Sequence, residues 1–73
     1  MKQSTEQLIV EALAHARVEH PRWPANEFEA MCIITEEVGE IAQALNDGDL
    51  GRAREEAGHV LATVIRFLEE GAY

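Results

Sequence analysis

The sequence predicts an all-α fold: an antiparallel helical hairpin plus an N-terminal helix. Three segments carry apolar residues at helical spacing, and two short breaks rich in Pro, Gly, Asn and Asp separate them. The chain has 73 residues, 47% of them apolar, which indicates a single domain over 1–73. A chain this short buries too little surface to be robust alone. We therefore expect it to assemble into a four-helix-bundle-type homo-oligomer, a homodimer or a homotetramer.

The first helix is expected from about Thr5 to Glu19, with Ser4 or Thr5 as the N-cap. Its apolar residues recur every three or four positions, which is the spacing of one helix face. The helix ends at the segment HPRWP, residues 20–24, because two prolines break the amide ladder and restrict the residues before them.

The second helix is expected from about Asn26 to Asn46. Asn26 followed by Glu29 matches a capping box in which Asn replaces Ser or Thr. The segment NDGD, residues 46–49, then predicts a turn. The apolar arc of this helix comprises Ala30, Met31, Ile33, Ile34, Val38, Ile41, Ala44 and Leu45.

The third helix is expected to start after Asp49 as its cap and to run to about Glu70, where Gly71 is a natural stop. The short connection before it favours an antiparallel neighbour. Its apolar arc comprises Ala53, Ala57, Val60, Leu61, Val64, Phe67 and Leu68.

Each of the last two helices carries a carboxylate within its apolar arc. Glu37 lies inside the arc of the second helix and Glu40 at its edge, while Glu56 lies inside the arc of the third and His59 at its edge. In an antiparallel pair these four side chains can face each other. Because unpaired buried charge is costly, a divalent metal with oxygen ligands is one way to neutralise them. The alternative is that such residues are simply solvated, as we expect for Glu36.

The charge balance narrows the range of partners. With 14 acidic and 6 basic residues, the formal net charge is −8. This balance argues against direct nucleic-acid binding and against anionic membranes, and it suits a protein that binds cations. No apolar run is long enough for a membrane span or typical of a signal peptide, so we expect a cytoplasmic protein. The lone cysteine, Cys32, is expected in the core.

Two segments carry a family resemblance. Residues 36–44, EEVGEIAQA, resemble the EExxE motif of MazG-like nucleotide pyrophosphohydrolases, members of the all-α NTP pyrophosphatase superfamily. Residues 55–61, EEAGHVL, occupy the place of that family's ExxD motif at a matching separation. The resemblance covers somewhat over half of the chain and implies a single MazG-like helical domain.

The resemblance implies an enzyme that hydrolyses nucleoside triphosphates, NTP or dNTP, to the monophosphate and pyrophosphate. In that family the matching glutamates bind Mg²⁺, or Mn²⁺, which here implies Glu37, Glu40 and Glu56. Glu36 or Glu37 is then the candidate that holds the attacking water. Family members are dimers or tetramers, consistent with the assembly expected from chain length.

His59 stands where the family has aspartate. The replacement can remove a ligand, favour a softer metal, or mark a nucleotide-binding or interaction module with impaired catalysis. Glu56-x-x-His59 also matches the Glu-x-x-His pattern of di-iron bundles, with Glu37 as a further ligand, and a transition-metal carboxylate protein is the least favoured alternative.

Contacts to the substrate are less well defined by the sequence. Phosphates are expected to meet Arg52 or Arg66, or else Arg17, Arg22 or a partner subunit. Trp23 can stack on a nucleobase, although packing of the first helix onto the bundle is the favoured role. The remaining histidines, His15 and His20, are expected on the surface, and the mid-helix glycines Gly39 and Gly58 are expected to permit close helix approach.

Overall fold

The computed structural model describes residues 3–73, and over that range it contains three α-helices and no strand. The helices are α1, Thr5–Glu19, α2, Glu27–Asn46, and α3, Leu50–Glu70. The all-helical prediction is therefore confirmed. The first two residues of the predicted 1–73 domain lie outside the described range.

The start of α1 is fixed by a capping box. The Ser4 hydroxyl accepts a hydrogen bond from the Gln7 N–H at 3.1 Å, and the Gln7 side chain accepts one from the Ser4 N–H at 3.1 Å. Ser4 is thus the cap among the two candidates. At the other end the His20 N–H still donates to the Ala16 carbonyl, at 2.9 Å, before the prolines end the helix.

The start of α2 depends on Asn26. Its side-chain oxygen accepts hydrogen bonds from the backbone N–H groups of Phe28 and Glu29, at 2.8 and 3.2 Å. These bonds satisfy two of the amides that a helix start leaves without partners. The helix consequently begins at Glu27, one residue after the predicted start.

The turn between α2 and α3 combines a left-handed glycine with two aspartates. Gly48 adopts a φ of 71°, a conformation that glycine accepts without steric cost. The Asp49 carboxylate then caps α3 by accepting from the Arg52 N–H at 2.9 Å. The guanidinium of Arg52 pairs with the Asp47 carboxylate, also at 2.9 Å, and so links the start of α3 to the end of α2 across the turn.

α3 is the central element, because it packs against both other helices while the described parts of α1 and α2 do not pack against each other. It lies close to α1 at Gly58, which is buried. A Cβ atom at this position would lie 3.1 Å from the Leu8 Cγ atom, tighter than ordinary van der Waals contact. A Cβ atom at Gly39 would meet open space. The expected close approach is therefore found at Gly58 and not at Gly39.

Small side chains form the buried apolar part of the described chain, and the larger apolar side chains are only half-buried or exposed. Cys32 is also exposed, so its predicted core position is wrong. It lies about 200° around α2 from the buried Ala30, which places it on the opposite side of the helix. The buried apolar residues are Ala12, Ala30, Ala44, Ala53 and Ala62, and the exposed ones include Phe28, Met31, Val38, Leu45, Leu61, Val64 and Leu68.

None of the three described helices combines the length and the apolar content that a bilayer span requires.

Candidate functional site

A cavity of about 560 Å³ opens where α1 and α2 flank α3. Three side chains of α3 on successive turns, His59, Thr63 and Arg66, line it from that helix. The other two helices and the segment between them supply the rest of its lining. These are His15, Ala16 and Glu19 of α1, Ile33, Glu36, Glu37 and Glu40 of α2, and His20, Arg22, Trp23 and Pro24.

Glu37 is bound to α3 through Thr63. The Thr63 hydroxyl lies 2.5 Å from the Glu37 Oε1 atom and 2.8 Å from the backbone carbonyl of His59, and both are acceptors. A hydroxyl has one hydrogen to donate, so it serves one of the two at a time while Glu37 is ionised. Thr63 is buried, with 6% of its surface exposed, so this bond is shielded from water. Sequence reasoning missed Thr63, although it lies one helical turn beyond His59.

Glu40 and Glu56 meet across the contact between α2 and α3. A hydrogen bond to the Glu56 carboxyl raises the pKa of Glu40, and burial and the negative charges of Glu56, Glu37 and Glu36 raise it further. Two ionised carboxylates have no hydrogen to share, so this contact is favourable only when one of the two carboxyls holds a proton. With both groups ionised, the contact places like charges together, a situation that a bound cation relieves.

One oxygen of Glu56 lacks a partner. Its Oε2 atom is buried and accepts no hydrogen bond from the described residues. The nearest cationic candidate is the Nδ1 atom of His59, at 3.5 Å. Beside this carboxylate lies a second, smaller cavity of about 250 Å³, lined by Glu40, Gln43, Arg52 and Glu56. A buried carboxylate oxygen without a donor is costly unless a proton or a cation reaches it.

Three of the four predicted metal ligands meet one another, and Glu37 meets Thr63 instead. Glu40 contacts Glu56, Glu56 lies beside His59, and Glu37 is engaged by Thr63. Across residues 3–73, no group of three or more His, Cys, Asp or Glu side chains is arranged to hold a metal ion. The donor set fits Mg²⁺ or Mn²⁺ in chemistry, because it offers carboxylate oxygens and one of them is orphaned. The side chains as placed do not form a complete ligand set.

α1 contributes a residue that sequence reasoning left on the surface. The imidazole rings of His15 and His59 stack with their centroids 6.3 Å apart and an angle of 17° between the planes. His15 is exposed as expected, yet it lines the larger cavity. Its proximity to His59 depends on how α1 docks onto α3, for which the sequence carried no signal.

Trp23 packs against α3. The guanidinium carbon of Arg66 lies 5.2 Å from the centre of its ring, within the range of a cation–π contact. Its indole N–H donates to the Tyr73 hydroxyl at 2.5 Å. Arg66 is buried and donates to the Glu70 carboxylate, at 2.8 and 3.2 Å, and to the Ala16 carbonyl at 3.2 Å. The hydrogen bond from Arg66 lowers the pKa of Glu70.

The three residues predicted to contact the substrate do not line the same cavity. Trp23 and Arg66 line the larger cavity, but the charge of Arg66 is already matched by Glu70. Arg52 lines the smaller cavity and pairs with Asp47. Contact of these side chains with substrate stays a prediction.

Comparisons of the chain with models of known protein families, with characterised proteins and with solved structures found no match.

Proposed function

We propose that this protein is a metal-dependent nucleoside triphosphate pyrophosphohydrolase of the MazG-like kind, which converts NTP or dNTP to the monophosphate and pyrophosphate. The observation that carries the proposal is the meeting of Glu40 and Glu56 from two different helices, together with a buried Glu56 oxygen that lacks a hydrogen-bond partner and lies 3.5 Å from His59. The adjoining cavity of about 560 Å³ has the size of a small-molecule site.

The proposal includes an antiparallel arrangement of α2 and α3. Glu37 contacts Thr63, and Glu40, which is later on α2, contacts Glu56, which is earlier on α3. Contacts that run in opposite directions along two helices favour an antiparallel hairpin. The short turn at Gly48 favours the same arrangement.

A homodimer or homotetramer of four-helix-bundle type follows from the apolar surface. The large apolar side chains of both arcs that remain exposed in the single chain are best covered by a second copy. We place the protein in the cytoplasm and assign it no nucleic-acid or membrane partner, since its net charge of −8 opposes both.

Within this proposal Glu37, Glu40 and Glu56 are the ligands of Mg²⁺ or Mn²⁺, with His59 beside them. When bound, the metal neutralises the substrate phosphates and lowers the pKa of an attacking water. Glu36 or Glu37 holds that water.

The remaining side chains bind the substrate. Trp23 offers an aromatic face for the base. Arg52 and Arg66 are proposed to meet the phosphates in exchange for their ion pairs with Asp47 and Glu70, and Arg66 also supports Trp23.

The test is release of pyrophosphate from a panel of NTPs and dNTPs with Mg²⁺ and with Mn²⁺. We expect turnover in the wild type, and a loss of at least about tenfold in Glu56→Gln, the size of effect seen for disturbed metal sites. Glu55→Gln is the matched control, because it removes the same charge from the adjacent, exposed position. No turnover with either metal in assembled protein contradicts the proposal.

A second candidate is a nucleotide-binding module with impaired catalysis, favoured by His59 in the place of the family aspartate. His59→Asp distinguishes the two candidates. If the substitution creates or raises pyrophosphate release, catalysis has decayed at this position. If it abolishes existing activity, the decay interpretation fails.

A transition-metal carboxylate protein is a third candidate, favoured by the 3.5 Å separation between the His59 Nδ1 and Glu56 Oε2 atoms. Metal analysis of protein purified without chelators tests it. Iron bound in stoichiometric amount supports this candidate over the pyrophosphohydrolase, and its absence removes the candidate.

A further inference from the structure

The segment between α1 and α2 forms part of the cavity wall and is tied to a residue outside the cavity. Trp23 and Pro24 both line the cavity. The Tyr73 hydroxyl accepts a hydrogen bond from the indole N–H of Trp23 at 2.5 Å and donates one to the Pro24 carbonyl at 3.0 Å. One hydroxyl therefore fixes two neighbouring residues of the wall through both its donor and its acceptor capacity.

Tyr73 is in turn fixed to the end of α3. Its ring lies 5.5 Å from the ring of Phe67, centre to centre, with the planes at 50°. The chain folds back this tightly because residue 71 is glycine. A Cβ atom at Gly71 would lie 2.6 Å from the Phe67 carbonyl oxygen and 2.6 Å from the Tyr73 Cε2 atom, closer than real Cβ atoms approach.

Arg66 of α3 is a second residue that supports Trp23. The buried Arg66 guanidinium lies 5.2 Å from the centre of the indole ring, and Glu70 and the Ala16 carbonyl hold it there. Trp23 is thus held at its N–H by Tyr73 and over one ring face by Arg66. Within the described residues, the hydrogen bonds that tie the 20–26 segment to the chain beyond α2 are those of Trp23 and Pro24 with Tyr73.

We propose that Tyr73 is a positioning residue for the candidate site: it holds Trp23 and Pro24 in the cavity wall and thereby sets how tightly the site binds the base of a nucleoside triphosphate. The link to the substrate rests on the proposed function, whereas the positioning of Trp23 does not. Tyr73 does not line the cavity and touches no reacting atom in this proposal.

The spectroscopic test uses Trp23 as the only tryptophan of the chain. Tyr73→Phe keeps the ring against Phe67 and removes the hydroxyl. Gly71→Ala keeps the hydroxyl and blocks the fold-back. In both variants we expect the tryptophan emission to shift to the red and its quenching by acrylamide to rise about twofold or more, with unchanged helix content.

The control is Thr35→Val. It removes a hydroxyl that, among the described residues, bonds within its own helix, to the Met31 carbonyl at 2.9 Å. The emission of this variant is expected to match the wild type. Emission and quenching that stay unchanged in both Tyr73→Phe and Gly71→Ala overturn the positioning role.

The functional test compares KM and kcat for the preferred triphosphate. Loss of the hydrogen bonds that orient Trp23 is expected to raise KM about fivefold in Tyr73→Phe while kcat changes by less than about twofold. A shifted emission with an unchanged KM overturns the link to substrate binding. A wild type that turns over no triphosphate overturns the proposed function together with that link, and the emission of the two variants still decides whether Tyr73 positions Trp23.

Discussion

At the residue scale, the stability of the folded chain depends on the protonation of Glu40. Its pKa is raised in the folded chain, first by the hydrogen bond to Glu56, so the folded state binds that proton more tightly than the unfolded state. The stabilisation is present at low pH and is lost as the pH rises through the folded pKa of Glu40. Once Glu40 loses its proton, its negative charge lies beside the Glu56 carboxyl with no hydrogen between them.

Above the folded pKa of Glu40, Glu40→Gln is expected to raise the stability of the metal-free protein slightly, because an amide can donate to Glu56. The same substitution is expected to weaken metal binding. Urea unfolding in the presence of a chelator measures the first effect, and a metal titration measures the second. If the variant is less stable than the wild type under chelator, the two carboxylates do not repel each other.

Glu70 has the opposite pH dependence. The hydrogen bond from the buried Arg66 lowers its pKa, so its contribution is present above the unfolded pKa of about 4.3 and is lost as the pH falls through the folded pKa. Glu70→Gln is expected to cost on the order of 1 kcal/mol of unfolding free energy at pH 7. That difference should vanish at low pH, where Glu70 of the wild type is protonated.

The matched control for this prediction is Glu69→Gln. The Glu69 carboxylate pairs with Arg17 at 2.9 Å on the exposed surface, so its loss is expected to change the unfolding free energy by less than about 0.5 kcal/mol. Urea unfolding at several pH values measures both variants. Equal effects at Glu69 and Glu70, or a Glu70 effect that persists in acid, contradict this account.

The sequence predicted the positions of site residues only where the periodicity of a single helix decides which way a side chain faces. Helical spacing placed Glu40 and Glu56 on facing sides of their helices, and they meet. Thr63 and His15 were not predicted as neighbours of Glu37 and His59, because a hydroxyl partner and a stacked ring depend on how the helices rotate about their axes. Such rotation is decided by packing, which periodicity does not encode.

At the scale of elements, the two mid-helix glycines respond differently to alanine. Gly39→Ala is expected to raise the unfolding free energy by about 1 kcal/mol, since helix propensity improves and the added methyl group meets open space. Gly58→Ala gains the same propensity, but its Cβ atom would lie 3.1 Å from the Leu8 Cγ atom, so the Leu8 side chain would have to move by a few tenths of an ångström.

Gly58→Ala should consequently be less stable than Gly39→Ala by about 1–2 kcal/mol, the usual cost of overpacking. Chemical denaturation of the two variants beside the wild type measures the difference. Equal stabilisation by both substitutions contradicts the close approach of α1 and α3 at Gly58.

Helix boundaries were predictable to within one residue because caps are local. The side chains of Ser4, Asn26 and Asp49 each accept from backbone amides within three residues. The central position of α3 was not predictable. The apolar arcs of α2 and α3 are each wide enough to face more than one neighbouring helix. Periodicity does not tell which part of an arc packs against which neighbour.

At the scale of the whole molecule, the exposed apolar side chains favour self-association. Val38 of α2 lies 49% exposed within a predicted apolar arc, and Val18 of α1 is 80% exposed outside both arcs. Val38→Glu is expected to weaken association by at least about tenfold, because burying a charge in an apolar interface is costly. Val18→Glu introduces the same charge outside that surface and should leave association unchanged.

Analytical ultracentrifugation over a range of concentrations measures this effect. A wild type that sediments as a monomer at every concentration contradicts the proposed homo-oligomer. A Val18→Glu variant that dissociates as readily as Val38→Glu places the interface on α1.

We propose that Glu37, Glu40 and Glu56 share one divalent cation. Titration of the protein with Mn²⁺, followed by electron paramagnetic resonance, tests this proposal most directly. We predict saturable loss of the free Mn²⁺ signal in the wild type. The affinity should fall at least about tenfold in Glu56→Gln and Glu40→Gln and be unchanged in the adjacent control Glu55→Gln. A wild type that leaves Mn²⁺ free, or a Glu55→Gln variant that loses as much affinity as Glu56→Gln, contradicts the claim.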